Sequence, residues 1–178
     1  MEVIKYNNQP NIKKDISYLY CRAFPVDERP PAFIFFRLAK KKSNKLIAFY
    51  EKDVFIGFVL LTFYKKFCYI SYLAVNKEIR NKGYGSQILS LIKDKYRSYN
   101  IFLLFEEVDS KYKDNDLRER RHQFYLKNGF KDNDLKSKEY GVIYQSGQIG
   151  DFLVTFEDYK HVFTANYGRW AIRYLERP

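Results

Sequence analysis

Leu73-Ala74-Val75-Asn76-Lys77-Glu78-Ile79-Arg80-Asn81-Lys82-Gly83-Tyr84-Gly85-Ser86 is the stretch on which the fold of this 178-residue chain turns. It closes a β-rich run, Phe67 to Val75. It then opens a helix whose apolar stripe is Ile88, Leu91, Ile92 and Tyr96. Between the two the polarity changes abruptly and glycine stands at 83 and 85. Without Cβ atoms the backbone there can curl, so that successive N–H groups converge on an anion at the positive end of the helix. That geometry suits a pyrophosphate. Two spaced glycines alone fit a ligand-free strand-to-helix turn equally well.

Upstream, Leu46 to Tyr50, Val54 to Tyr64 and Phe67 to Val75 are β-rich runs parted by Glu51-Lys52-Asp53 and Lys65-Lys66, which predicts an antiparallel meander. Downstream, Ile101 to Phe105 is a continuous apolar run. It predicts a strand buried on both faces and parallel to the one before the helix, hence a right-handed βαβ crossover. Near the N-terminus, Ile12, Ile16, Leu19, Tyr20, Ala23 and Phe24 have helical spacing, with Asn11 as the expected N-cap and Pro25 as the stop. Phe24 to Pro31 reads as a proline-rich loop, Ala32 to Lys40 as a short helix, and Lys40 to Lys45 as a solvated connection. Toward the C-terminus a helix ends at Leu126-Lys127-Asn128, with Gly129 in the position that favours left-handed backbone. Glu139 to Tyr144 reads as a strand, Thr155 and Asp158 as a capping box for a helix toward Ala165, and Arg169 to Leu175 fits strand or helix. The expectation is one mixed α/β (α+β) domain over 1–178, with helices on both faces of the sheet.

Composition sets the bounds. With 46% hydrophobic and 30% charged residues the chain can close one sizeable core. Its 17 tyrosines and 16 phenylalanines imply a core and cleft lined by rings. Cys21 and Cys68 lie in apolar stretches with no metal or redox spacing, so buried thiols in a reducing compartment are expected, and no metal site. The first residues lack the features of a secretory signal and no apolar run spans a bilayer; a cytoplasmic protein free of the membrane is expected. A net charge of +11 implies attraction to anions: nucleic acid, a membrane surface or a phosphate-rich small molecule.

Two motifs carry a resemblance. Arg80-x-x-Gly83-x-Gly85, preceded by Leu73-Ala74-Val75, resembles the Arg/Gln-x-x-Gly-x-Gly/Ala loop of the GNAT superfamily of acetyl-CoA-dependent N-acetyltransferases. Tyr125-Leu126-Lys127-Asn128-Gly129-Phe130 is similar to that family's Tyr-x-x-x-Gly-Phe stretch. The resemblance covers Leu46 to Phe130 and implies a splayed fourth strand, acetyl-CoA as co-substrate and an amine as acceptor. It implies that Arg80, Asn81, Lys82, Gly83, Tyr84, Gly85 and Ser86 hold the cofactor's phosphates. Where many members place an asparagine that touches the cofactor, one or two turns before the tyrosine, Arg118 stands instead; with Arg120 and Arg121 it forms a positive cluster that fits a cofactor contact or a solvated helix face equally well. It also implies that backbone N–H groups of Leu73, Ala74 and Val75 polarise the acetyl carbonyl, and that Tyr125 acts as general acid.

Many members carry a glutamate on the fourth strand, whereas Phe67 to Leu73 holds no carboxylate. An alkyl ammonium with a pKa of roughly 10.4 must lose a proton before it attacks, so a base is needed. Glu106 and Glu107 end the inferred fifth strand, where alternation aims at most one of them into a cleft. Glu28, in the proline-rich loop, is a candidate for acceptor recognition. His122 is expected to be exposed or packed, away from the face of Tyr125. An acetyl-CoA-binding protein without catalysis and a basic nucleic-acid-binding module are the rival readings, although no nucleic-acid partner is expected; the acceptor's identity and a homodimer are left open.

Overall fold

The computed structural model describes residues 1–26 and 29–178, and it divides into two compact units. The first comprises Met1–Thr62 and Ile70–Asp94, the second Phe63–Tyr69 and Lys95–Pro178. The described residues are of mixed α/β type, with eight strands among them.

In the first unit, β1 (Glu2–Lys5) leads to α1 (Pro10–Ala23), α2 (Ala32–Ala39), β2 (Asn44–Glu51), β3 (Val54–Tyr64) and β4 (Phe67–Val75), the last two extending into the second unit. A 3₁₀ turn (Lys77–Ile79) and α3 (Tyr84–Lys95) follow. β1 pairs with β2 and β2 with β3, both antiparallel. The β2–β3 hairpin turns at Lys52 and Asp53, whose φ of 47° and 66° match the right-handed twist of the strands they join. Helix α1 starts at Pro10, in the first-turn position where a missing N–H costs nothing, so Asn11 lies inside the helix and is not its cap. Ile12, Ile16, Leu19 and Tyr20 of α1 and Phe35 and Phe36 of α2 pack against Leu46, Ala48, Phe58, Leu60, Tyr72 and Ala74 on one face of the strands. Ile47, Phe49, Val59 and Leu61, on the other face, are also buried. Burial on both faces explains why these strands read as continuous apolar runs.

The second unit holds β5 (Asn100–Glu106), α4 (Asn115–Lys127), β6 (Lys131–Glu139), β7 (Val142–Ile149), α5 (Phe156–Tyr167), a 3₁₀ segment (Arg169–Tyr174) and β8 (Leu175–Glu176). β7 pairs antiparallel with β5 and β6, and β6 with β8. Alternation along β5 sets the layers: Phe102 joins Tyr159, Val162 and Phe163 of α5, while Phe105 meets His122 and Tyr125 of α4. The capping box of α5 forms as expected, Thr155 Oγ1 accepting from Asp158 N at 3.2 Å and Asp158 Oδ2 from Thr155 N at 3.1 Å.

Glu139–Tyr144 is not one strand. It contains a hairpin turn, because Tyr140 and Gly141 adopt φ of 49° and 88° and end β6 before β7 begins. Cys68 is buried, but Cys21 is exposed, on the solvent side of α1. Among the described residues no helix is long and apolar enough to cross a membrane.

Candidate active site

The loop before α3 is built from alternating constraints. Asn76 N donates to Ile56 O at 2.8 Å, and its side chain accepts from Glu78 N at 3.3 Å, which starts the 3₁₀ turn. Arg80 is extended, and Asn81 and Gly83 are left-handed, with φ of 65° and 79°. Two left-handed residues on either side of Lys82 fold the chain sharply into α3. The first helical bond, Gln87 N to Gly83 O at 3.1 Å, leaves the amides of Tyr84, Gly85 and Ser86 as the orphan donors that open every helix. Asn81, Lys82 and Gly83 are exposed beside them. Arg80 is exposed too, its Nε 3.3 Å from Val75 O, so its side chain is tied back to the end of β4. Free amides, the positive helix end and two cations together favour a polyanion.

A cleft of about 400 Å³ opens alongside, lined by Glu51, Val54, Ile56, Ile79, Lys82 and Tyr84. The Tyr84 hydroxyl donates to the Glu51 carboxylate, a bond that raises the phenol and lowers the carboxyl. Nothing in the sequence pairs these residues, which stand 33 positions apart.

Leu73, Ala74 and Val75 end β4, and β3 carries Gly57 beside them. A Cβ on Gly57 would lie 2.2 Å from the Ala74 carbonyl oxygen, so only glycine permits this approach. The signal was there to read: a lone glycine inside a β-rich run.

In the second unit, the Tyr-x-x-x-Gly-Phe pattern is a helix stop. Phe130 N donates to Tyr125 O at 3.1 Å and Gly129 N to Leu126 O at 2.9 Å, with Gly129 at φ 84°. The rings of Tyr125 and Phe130 meet at 5.7 Å, completing a Schellman motif that fixes the tyrosine relative to the end of α4. Phe105 supports it from β5 at 5.6 Å. Burial pushes the Tyr125 phenol up to about 12, with Arg121 opposing and Glu106 adding to the rise. At neutral pH it is a proton donor.

Glu106 and Glu107 diverge to different partners. Glu106 is ion-paired with Arg121. Glu107 accepts from Lys111 and Lys136, each at 2.9 Å, and from Tyr112 at 3.1 Å. These donors, Lys136 foremost, hold its carboxyl down at about 2. Arg118, which the sequence set against the cofactor, is buried, with Nε 2.9 Å from Asp114, Nη1 3.2 Å from Glu107 O and its guanidinium 3.9 Å over the Tyr112 ring. It braces the loop after β5. His122 stacks on Phe105 at 5.0 Å with Nε2 2.8 Å from Asp132. It leans on the same ring as Tyr125, because residues three apart share a helix face, contrary to the sequence expectation. Glu28 lies outside the described residues.

Fold and loop together mark an α/β protein whose strand-to-helix loop leaves the first amides of α3 without backbone partners. Residues 13–130 match the acetyltransferase (GNAT) family, and the chain belongs to that family. No curated protein matches it in sequence. Among solved structures, a GNAT-family protein from Bacteroides thetaiotaomicron is similar over 94% of this chain and 99% of its own, at 21% identity and a TM-score of 0.77. The aminoglycoside 6'-N-acetyltransferase from Enterococcus faecium gives 0.64 over 84% and 96% at 17% identity. A GNAT family acetyltransferase from Elizabethkingia anophelis, solved with acetyl-CoA bound, gives 0.60 over 84% and 97% at 16% identity. At these identities the likeness is one of fold.

Proposed function

We propose that the protein transfers the acetyl group of acetyl-CoA to a primary amine, by direct attack in a ternary complex. The observation that carries this reading is the loop Arg80–Ser86, in which left-handed Asn81 and Gly83 bare the first amides of α3 beside two cations, in a chain of an acetyltransferase family. The amides of Tyr84, Gly85 and Ser86, with Arg80 and Lys82, hold the pyrophosphate. Backbone N–H groups of Leu73–Val75 polarise the acetyl carbonyl. Tyr125 returns a proton to the departing sulfur. Glu107, held near 2 by two lysines, has little affinity for a proton at neutral pH, so it serves structure better than base catalysis.

Isothermal titration with acetyl-CoA and with a single-stranded oligonucleotide at physiological salt tests the binding half. Acetyl-CoA is expected to bind and the oligonucleotide is not; the reverse overturns the reading. Thiol release from acetyl-CoA with spermidine, kanamycin, lysine and a peptide with a free N-terminus tests the transfer. Binding without release on all four would leave a cofactor-binding protein without catalysis. Gly83→Val is expected to abolish binding, because a β-branched residue resists a φ of 79° and displaces the loop's amides.

A further inference from the structure

The β2–β3 hairpin holds the loop 76–83 at both of its ends. At the start of the loop, Asn76 N donates to Ile56 O at 2.8 Å. At its close, the hydroxyl of Tyr84, the first residue of α3, donates to Oε2 of Glu51, the last residue of β2. All of these residues belong to the first unit. The hairpin side of the clamp is firm, because Glu51 stands opposite Val54 in the antiparallel ladder and left-handed Lys52 and Asp53 close the turn between them.

Between the two ties little else fixes the loop. Arg80, Asn81, Lys82 and Gly83 are exposed. Among the described residues, the bond to Glu51 is the one hydrogen bond by which a side chain of residues 81–86 reaches another element. Packing does not replace it, since the ring of Tyr84 walls the open cleft together with Val54, Ile56 and Ile79. A tyrosine has only two side-chain torsions, so fixing its hydroxyl fixes its ring and, through the ring, the residue whose amide opens α3. An untied loop would spread over other backbone conformations and lose that freedom when a ligand arrives, which weakens binding.

Glu51 is otherwise ill placed there, because a carboxylate beside a polyanion repels it. Its charge is partly offset by Lys52 and Lys82, which line the same cleft, and by the Met1 α-ammonium 3.8 Å from Oε1. The Tyr84 bond foremost, and then Met1 and Lys52, hold the carboxyl below its usual range, so the acceptor of the Tyr84 proton is ionised at neutral pH and the bond is charge-assisted. We infer that Glu51 is a positioning residue for the cofactor: it holds the Tyr84 hydroxyl and thereby sets the amides of Tyr84, Gly85 and Ser86 in the arrangement that receives the pyrophosphate. The gain from this bond outweighs the repulsion from the charge. The inference rests on the reading of the loop as the acetyl-CoA site.

The test is isothermal titration of acetyl-CoA into wild type, Glu51→Gln, Glu51→Ala, Tyr84→Phe and the double variant Glu51→Ala/Tyr84→Phe. Glu51→Gln drops the charge but keeps an oxygen for the phenol, and it is expected to bind at least as tightly as wild type. Glu51→Ala has the same charge as Glu51→Gln without the acceptor, so it is expected to bind about fivefold more weakly than Glu51→Gln. Tyr84→Phe keeps the ring and all three amides, and a loss of about fivefold against wild type is expected. One bond can be lost only once, so adding Tyr84→Phe to Glu51→Ala should change nothing further. In turnover the loss in Tyr84→Phe should fall on KM for acetyl-CoA, with kcat kept within about twofold. If Glu51→Gln and Glu51→Ala tighten binding alike and Tyr84→Phe binds as wild type does, Glu51 is a surface charge only and the inference is overturned. Losses that add in the double variant overturn it as well. Both of these outcomes leave cofactor binding standing, whereas wild type that fails to bind acetyl-CoA overturns the reading of the loop and this inference with it.

Discussion

Tyr125 is the residue whose role the geometry constrains most. Its phenol, pushed up to about 12, is a weaker acid than a simple thiol, so full proton transfer to a free thiolate is uphill by about 5 kcal/mol. The proton must therefore move as the C–S bond breaks, when charge is still developing on sulfur. Tyr125→Phe is expected to keep acetyl-CoA affinity within about twofold and to lower kcat by roughly 100-fold. Stopped-flow thiol release with titration of binding measures both, and an unchanged kcat removes Tyr125 from the mechanism. The phenylalanine retains the ring contacts with Phe105 and Phe130, so the stability of α4 should not change.

At the level of elements, β3 and the end of β4 depend on a missing side chain. Gly57→Ala places a methyl 2.2 Å from the Ala74 carbonyl, and a backbone atom cannot swing aside as a flexible side chain would. A loss of about 1–3 kcal/mol in urea unfolding is expected, together with a drop in kcat, since the amides of Leu73–Val75 shift. Full stability would contradict the close approach. Elements marked by backbone chemistry were legible in the sequence: Gly83 sets the turn into α3, Gly129 stops α4, and Thr155 with Asp158 starts α5. Elements defined by their neighbours were not. β6 reads Lys-Asp-Asn-Asp-Leu-Lys-Ser-Lys-Glu, and only pairing with β7 and β8 makes it a strand. The turn at Tyr140–Gly141 lacks the usual asparagine, so the end of β6 and the start of β7 merged into one expected strand. Arg118 looked like a surface cation until its loop closed around it.

The whole molecule should be sensitive to acid, and the sign follows from Glu107. Its carboxyl is held at about 2, below the ordinary value near 4.3, so the ion pairs with Lys136 and Lys111 stabilise the fold above about pH 5 and are lost as pH falls toward 2. Denaturant midpoints measured from pH 7 to pH 3 should fall steeply for wild type. Glu107→Gln should start lower and show a flatter slope; parallel curves would refute the assignment. Falling pH also adds positive charge to a chain already at +11, which steepens the loss. The interleaving of the two units in sequence has a consequence for biosynthesis. The segment Phe63–Tyr69 is translated before its own unit exists, yet its rings rest on Tyr96, Tyr99, Phe102 and Tyr159. At ordinary elongation rates, on the order of ten seconds pass between emergence of Tyr69 and of Tyr159. For that interval the nascent chain presents an aromatic, strand-forming segment with no partner, and it is there that a ribosome-associated chaperone would find its hold.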